Sequence, residues 1–448
     1  MSRLITIVGA GPAGAALAAY LGRAGHNVTV YESRPDLRKV DIDAGRSINL
    51  ALAARGIAVL EELGAMEAVE PLLIPMRGRM IHPLDGEQTL QPYGTKPDEV
   101  IHSVSRSELN GLLLDAAETS GDVTILFNQR CVGGDLSEGV LRFHDALTDT
   151  EYDVQVDAVF GADGFGSEIR ALIQVDNLAV EEIEALGHGY KELTLPAGPD
   201  GAHEIDANAL HIWPRGEFML IALADTAGSF TCTLFAPTGD GPHNLQSLTT
   251  AAAVLDLFET HFPDFVPLVP DLAEQYLANP EGQLATLRCT GWQLGDRAVL
   301  VGDAAHAIVP FHGQGMNAAL ESAKVLVACL DEYPKDWGEA FEVFERVRKP
   351  NTDAIADMAI DNYVEMRSSV RDEGYQLRRQ LALELERRFP DVFIPRYSMV
   401  MFHTIPYAEA QRRAEAQATV LAELTNGKES IDDIDFDWAA ELVAGLEL

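Results

Sequence analysis

Leu4-Ile-Thr-Ile-Val-Gly-Ala-Gly-Pro-Ala-Gly-Ala-Ala-Leu-Ala-Ala-Tyr-Leu21 carries a short β-branched run into a G-x-G-x-x-G at Gly9, Gly11 and Gly14. A small-residue helix follows. A second strand, Asn27-Val-Thr-Val-Tyr31, then ends on Glu32. This is the order of a Rossmann βαβ unit. Gly9 allows the tight turn out of the strand. Gly11 has no Cβ, so a pyrophosphate can approach the backbone. Gly14 lets the helix lie close on the sheet. The helix N-terminus offers free N–H groups and a partial positive charge to a phosphate. Glu32 is placed to accept hydrogen bonds from a ribose diol. The two bland alternatives are a glycine turn with no ligand and a secretory signal. A signal needs a continuous apolar run, and Gly-Ala-Gly-Pro-Ala-Gly interrupts this one.

Working outward, 448 residues give room for roughly two or three domains and a large core. Hydrophobic residues make up 47% and charged residues 23%, the balance of a soluble globular protein. Outside the first helix no uncharged stretch is long enough to span a bilayer, and the acidic C-terminus after Ile431 is too short for a membrane anchor. Cys131, Cys232, Cys289 and Cys329 show neither C-x-x-C nor zinc spacing, so no metal site and no disulfide framework is expected. That pattern suits a reducing cytoplasm. The net charge of −37 argues against nucleic acid and anionic membranes.

Along the chain, Gly45 to Gly56 is read as starting a helix that continues through Ala68. Met76-Arg-Gly-Arg-Met-Ile-His82 is read as one strand with Arg77 and Arg79 on the same face. Arg106 to Asp115 is a helix with Ser105 as N-cap. Strands are expected near Val123–Leu126 and Asp153–Val159, the latter running into Gly161-Ala-Asp-Gly164. Leu210–Trp213, Phe218–Ala224 and Phe230–Phe235 read as an antiparallel meander, a separate sheet domain. Ala251 to His261 is helical. Arg297-Ala-Val-Leu-Val-Gly-Asp303 is a buried strand entering a third ligand-facing loop, and Gly313 to Asn317 begins a further helix. Helices fill the remainder, and the one from Tyr407 ends at Asn426-Gly427.

The three loops at Gly9, Asp163-Gly164 and Gly302-Asp303, the last followed by Pro310, resemble those of the single-component FAD aromatic hydroxylases, the fold of p-hydroxybenzoate hydroxylase. Gly45-Arg-Ser-Ile-Asn-Leu-Ala-Leu52, Met76 to His82, Pro92-Tyr-Gly-Thr95, Ser103-Val-Ser-Arg106, His211-Ile-Trp-Pro-Arg215, Ser229 to Phe235 and Gly302 to Asn317 narrow the resemblance to the kynurenine 3-monooxygenases. It runs from about residue 4 to about residue 415.

The resemblance implies an α/β chain. A Rossmann-like FAD-binding domain (residues 1–70, 100–175 and 285–345) would carry an inserted, mostly antiparallel β-sheet substrate domain (71–99 and 176–284), with a C-terminal helical region (346–448). It implies tightly bound, non-covalent FAD, transient NADPH and O₂, and hydroxylation of L-kynurenine to 3-hydroxy-L-kynurenine through a flavin C4a-hydroperoxide. FAD would contact Gly9, Gly11, Ala13, Gly14, Tyr31, Glu32, Ser33, Arg34, Ala51, Arg106, Cys131, Asp163, Asp303, Gly315, Met316 and Asn317. The substrate would be held by Arg79, Tyr93, Asn362 and Tyr397. A guanidinium suits an amino-acid carboxylate, because it meets two oxygens in a planar fork. Residue spacing alone does not separate Arg79 from Arg77, nor from an arginine paired with a core acid. Asn362 alone would read as a solvated helix position.

No side chain supplies an electrophilic oxygen, so the flavin must carry the chemistry and no catalytic acid or base is assigned. His312 stands where the family has Phe, either as one ring for another or as a modulator, through altered substrate preference or as a titrating group near the ring. The resemblance also implies a soluble bacterial type, cytoplasmic, with a homodimer as the assembly to test. Two other readings stay open: a related FAD hydroxylase acting on a substituted kynurenine or other aminoaryl compound, and a ligand-binding flavoprotein without catalysis. The second Trp of the flavin halogenase motif is missing after Gly291-Trp292.

Overall fold

The computed structural model describes residues 3–40, 49–85, 87–177, 180–239, 241, 243–367 and 373–446. The chain forms two compact units. One comprises Met1–Leu73, Val104–Ala185 and Ala285–Ala356; the other comprises Ile74–Ser103, Leu186–Leu284 and Asp357–Leu448. Residues 357–448, set apart above as part of a helical region, thus cluster with the inserted sheet.

The first unit is built on a six-stranded sheet in the order Gln293–Leu294, Ala298–Leu300, Ala158–Gly161, Ile5–Val8, Val28–Glu32, Val123–Phe127. All neighbours are parallel except the short Gln293–Leu294 edge. Ile5–Val8 is buried along its whole length, as a central parallel strand must be. The Pro12–Arg23 helix is nearly all Ala, Gly and Leu on its buried face, and it packs against the Arg106–Ser120 and Gly315–Glu332 helices. Small residues let these backbones approach: a Cβ on Gly22 would lie 2.1 Å from Ser120 Oγ. Ser105 caps the Arg106–Ser120 helix, accepting from Glu108 N at 3.4 Å.

Two expectations are corrected here. Asn49–Leu52 is a strand, and the helix begins only at Ala54; residues 45–48 of that motif lie outside the described residues. The run Asp153–Val159 is not one strand. Thr150–Gln155 closes a three-stranded antiparallel sheet with Gln129–Asp135 and Val140–Asp145, while Ala158–Gly161 enters the parallel sheet. The small sheet contributes Phe143, fully buried and stacked on Tyr31 at 4.0 Å and 17°.

The second unit holds a seven-stranded sheet in the order Glu281–Cys289, Glu181–Leu195, Phe230–Pro237, Met219–Ala224, Leu210–Pro214, Gly78–Ile81, Thr89–Pro92. The expected meander is there, with antiparallel registers such as Trp213 opposite Leu220 and Ala222 opposite Cys232. Gly78–Ile81 joins it parallel to Leu210–Pro214. Met76–His82 is not one regular strand: it breaks at Arg77, which is exposed. One sheet face buries Trp213, Leu220, Phe230, Cys232 and Leu234 against Phe258, Phe262 and Phe265 of the Ala251–His261 segment and its continuation. Burying each such side chain stabilises by about 1.5–3 kcal/mol. Arg79 pairs with Leu210 and so lies on the opposite face from Trp213.

On the tryptophan face, His82 and His211 bridge neighbouring strands. His82 Nδ1 meets Asp264 Oδ2 at 2.9 Å, His82 Nε2 meets His211 Nδ1 at 2.8 Å, and His211 Nε2 meets the Asp206 carbonyl at 2.7 Å. A carboxylate and a carbonyl only accept, so all three bonds are made only when the two rings together hold three protons. Trp213 Nε1 donates to the same Asp264 oxygen at 2.9 Å, and its ring stacks on His82 at 3.9 Å.

The helices Glu373–Arg388, Tyr407–Thr425 and Phe436–Ala444 share an apolar cluster of Leu381, Leu385, Phe393, Val420, Leu424 and Val443. The Tyr407–Thr425 helix ends at Asn426, with Gly427 at φ +69°. Among the described residues no helix is long and apolar enough to cross a membrane.

Candidate active site

The glycine turn is held by its surroundings. Gly9 has φ +98°, and a Cβ there would lie 2.3 Å from the Ala162 carbonyl oxygen. A Cβ on Gly14 would lie 2.0 Å from Gly9 O, so the helix can start directly under the turn only with glycine. A Cβ on Gly11 would meet nothing within 4 Å. The backbone therefore faces open space at the N-terminus of the Pro12–Arg23 helix, where the first-turn N–H groups lack intrahelical partners. Asn110 Nδ2 donates to Ala10 O at 3.0 Å, and Ala10 N donates to Glu32 Oε2 at 2.8 Å. The other Glu32 oxygen accepts from Arg34 N at 2.9 Å, Arg34 Nε at 2.8 Å and Ser33 Oγ at 3.3 Å. Burial works against the Glu32 charge, but Arg34 outweighs it and holds the carboxyl below the usual range.

Further turns of this unit close on the first or on one another. Gly302, at φ +66°, sits so near Ala13 that a Cβ would be 2.9 Å from the Ala13 methyl. Gly313, at φ +64°, is similarly close to Ala51, and a Cβ on Gly56 would lie 2.6 Å from Asn317 Oδ1. Asn317 is completely buried and its side chain is a staple: Oδ1 accepts from Ala53 N at 2.9 Å, and Nδ2 donates to Ala51 O and Gly313 O at 2.8 Å each. Gly315, Met316 and Asn317 form the first turn of the 18-residue Gly315–Glu332 helix. Asp163 Oδ2 accepts from Glu168 N at 2.8 Å and Ile169 N at 3.2 Å, so its carboxylate caps the following helix.

Asp303 is exposed where the Ala298–Leu300 strand turns into the short helix, though the protein around it still crowds its carboxyl. That crowding pushes the carboxyl up, against the pull of the Arg106 charge. Cys131 is half-buried with its thiol pushed up to about 12 by burial. His312 is buried in the turn just before Gly313. Behind these turns, Glu321 receives Arg55 Nη1 and Arg348 Nη1 at 2.8 Å each, and Arg348 Nε donates to Ser322 Oγ at 3.2 Å. Open space at Gly11, the close glycine approaches and two first helical turns fit a dinucleotide-sized flavin whose phosphates are held by backbone N–H groups.

In the second unit, Arg79, Tyr93, Asn362 and Tyr397 come together. Arg79 is 3% exposed, which separates it from exposed Arg77. Its Nη2 donates to Asn362 Oδ1 at 3.1 Å and its Nη1 meets Glu365 Oε1 at 2.8 Å. Its guanidinium carbon is 5.0 Å from the Tyr397 ring and 6.0 Å from the Tyr93 ring, and those rings stack at 5.1 Å and 12°. Arg79 Nε is buried and has no hydrogen-bond partner among the described residues. Burial opposes the Arg79 charge, but the Glu365 carboxylate more than offsets it and holds the group protonated. Glu365 is held ionised in turn, mainly by Arg79, against its own burial.

Asn362 is buried, not solvated, because this turn of the Trp337–Arg367 helix faces Arg79. Both readings of Arg79 thus hold together: it has an acid partner and it sits among the expected side chains. Glu365, Tyr375, Arg379 and Arg396 were missed. Tyr375 OH donates to Glu365 Oε1, Arg396 Nη2 is 3.8 Å from Glu365 Oε2, and Arg379 donates to the Pro92 carbonyl. Glu365 had a signal, since it stands three residues after Asn362 on one helix face. Tyr375, Arg379 and Arg396 had none.

Comparison with known proteins follows the same lines. The FAD binding domain family model matches residues 3–342. A kynurenine 3-monooxygenase of Stenotrophomonas maltophilia is 47% identical over 439 residues, covering 98% of this chain and 95% of that one. One from Myxococcus xanthus is 45% identical, covering 98% and 94%. Among solved structures, the tetrameric form of 2-methyl-3-hydroxypyridine-5-carboxylic acid oxygenase aligns with a TM-score of 0.67 at 21% identity, covering 84% of this chain and 95% of that one. Pseudomonas aeruginosa PqsL in complex with 2-aminobenzoylacetate gives 0.67 at 20% identity, covering 84% and 100%. Those two share its fold, a Rossmann-like FAD-binding domain with an inserted sheet and a helical C-terminal region. At nearly half identity over almost its whole length, the chain belongs to the kynurenine 3-monooxygenase family of FAD-dependent monooxygenases.

Proposed function

We propose that this enzyme hydroxylates L-kynurenine to 3-hydroxy-L-kynurenine, with NADPH and O₂ as co-substrates. The observation that carries the substrate is the buried Arg79, whose Nε–H has no acceptor among the described residues while Glu365 meets its Nη1. An α-amino acid brings a carboxylate for the guanidinium and an ammonium for Glu365. Tyr93, Tyr397 and Asn362 add hydroxyl and amide partners on an otherwise apolar wall.

Bound FAD supplies the activated oxygen that no side chain can provide. Gly11, Ala13 and Gly14 would hold its phosphates by backbone N–H groups, with Gly9, whose own N–H goes to Tyr31 O at 2.8 Å, making the turn that lets them approach; Gly315, Met316 and Asn317 would do the same from the second helix. Tyr31, Glu32, Ser33, Arg34 and Cys131 would contact it around the end of the second strand. Ala51, Arg106, Asp163 and Asp303 would contact the remainder, with Asp163 and Asn317 acting through the turns they fasten. His312 shapes the approach to the ring from its buried place before Gly313. The free Cys131, Cys232, Cys289 and Cys329 suit a reducing cytoplasm.

The test is turnover. Protein loaded with FAD and given L-kynurenine, NADPH and O₂ should release 3-hydroxykynurenine in step with NADPH consumed. Peroxide without hydroxylated product, from every aromatic amino acid tried, would overturn the reading.

A further inference from the structure

Glu386 lies in the Glu373–Arg388 helix and is 1% exposed, yet neither of its carboxyl oxygens has a hydrogen-bond partner among the described residues. An ionised carboxylate is not left in that state without large penalty. Its charged neighbours lie on the turn that follows Tyr93, namely Glu99 and Lys96. Glu99 is itself 6% exposed and is satisfied as an anion: it accepts from Thr95 N at 2.7 Å, Lys96 N at 3.0 Å and Lys96 Nζ at 2.8 Å. Those donors hold it ionised against burial. His403, from the stretch before the Tyr407–Thr425 helix, feels Lys96 and Glu99 too, and burial keeps it in the neutral form. The cluster therefore contains two buried carboxyls and one ammonium. Burial and the Glu99 charge push the Glu386 carboxyl up to about 7.

The same helix grips this segment twice. Arg379 donates to the Pro92 carbonyl, and Glu386, two turns further on and on the same side, faces the Glu99 end. Tyr93 is the residue between, stacked on Tyr397, with its N–H on Arg77 O at 3.0 Å. Gly94 admits the Glu99 side chain, since a Cβ there would lie 2.1 Å from Glu99 Oε2.

We propose that uncharged Glu386 is a positioning residue that seats the Tyr93–Glu99 turn, and that loss of its proton unseats the turn and with it the Tyr93 ring. The proton leaves to solvent, two carboxylates then face a single Lys96, and the exposed end of the turn is the part free to yield. The consequence for substrate rests on the placement of Tyr93 in the kynurenine site given above.

The test uses the full FAD-bound chain and its Glu386→Gln variant, in which the amide imitates the protonated acid. Amide hydrogen exchange over residues 93–99, corrected for the intrinsic effect of pH, and KM and kcat for L-kynurenine are measured from about pH 6 to about pH 8.5. In the native protein, protection of the turn should fall and KM should rise by about tenfold across that range, with kcat little changed, while both stay flat in the variant. A turn that loosens with pH in the native protein only, alongside a KM flat in both, supports the latch and overturns Tyr93 as a substrate contact. Identical exchange profiles in the two proteins overturn the proposal. Should Glu386→Gln not fold, Glu99→Gln decides: with a single carboxylate left to face Lys96, the pH-dependent loosening should disappear, and a loosening unchanged in extent and midpoint overturns the proposal.

Discussion

Replacing Arg79 by alanine separates two roles of one side chain. The Arg79–Glu365 pair is buried at 2.8 Å, and opposite charges about 4 Å apart at an effective dielectric of about 20 attract by about 4 kcal/mol. Removing the guanidinium leaves Glu365 with Arg396 at 3.8 Å and the Tyr375 hydroxyl. Breaking a buried pair from one side costs about 3–5 kcal/mol of folding stability, less whatever Glu365 regains by taking up a proton. Separately, the substrate carboxylate loses its fork. We expect a loss of about 3–5 kcal/mol in transition-state binding, roughly two to nearly four powers of ten in kcat/KM. FAD should stay bound, because the turns assigned to it belong to the other unit.

Arg79→Lys restores charge without the fork and should recover part of the loss. Arg79→Ala with Glu365→Gln should recover stability without recovering kcat/KM. The assay is initial-rate formation of 3-hydroxykynurenine, normalised to bound flavin by absorbance. A kcat/KM for Arg79→Ala within about threefold of the native value, with flavin bound, would show that the carboxylate binds elsewhere.

Gly11→Ala should leave the folding of the flavin-free chain unchanged, since its Cβ meets nothing within 4 Å, yet weaken FAD at least about tenfold by filling the phosphate approach; flavin titration and melting of the apo chain check both halves. Asn317→Ala strands three buried partners, Ala53 N, Ala51 O and Gly313 O, so stability should fall by about 3 kcal/mol in urea unfolding, and a loss under about 1 kcal/mol would deny the staple. His306 tests pH: burial, then the Arg348 charge, drives it down to about 3, so it folds neutral while the unfolded ring titrates near 6.5. The depressed value means its contribution is complete above about pH 6.5 and is lost as pH falls toward about 3, by up to about 1.4 kcal/mol per unit. His306→Asn should flatten the stability profile between about pH 6 and pH 4, and an unchanged slope would exclude His306 as the source.

The glycine turn was legible because much of its need is local: Gly9 takes a positive φ and Gly14 must clear the Gly9 carbonyl, and the distant Ala162 only adds to the demand at Gly9. The Ala251–His261 helix was legible for the same reason, with Thr250 accepting from Ala253 N at 3.2 Å. The Glu181–Leu195 strand was not, because Glu181, Glu182, Glu184, Lys191 and Glu192 blur the alternation that marks a half-buried strand. Asn49–Leu52 reads as helix from its Ala and Leu, and only its tertiary setting makes it extended. At the substrate quartet, local pattern stops short. A break at Arg77 separates it from Arg79, and no spacing rule anticipates a kink. The acid that pairs with Arg79 lies 286 residues away in the chain. Without the family resemblance, Tyr93, Asn362 and Tyr397 would have been three unrelated positions.

His82, His211, Asp264 and Trp213 share one chain of hydrogen bonds, and that binds their histories together. Replacing His211 alone leaves His82 Nε2 facing nothing in the core, and replacing Asp264 strands both His82 and the indole, each orphan costing about 1–3 kcal/mol. No single letter can drift at neutral cost. In any lineage descended from this fold, these four should be inherited or exchanged as a block, so that one altered member, met in isolation, marks a chain on its way to losing stability or to acquiring a compensating change at another of the four.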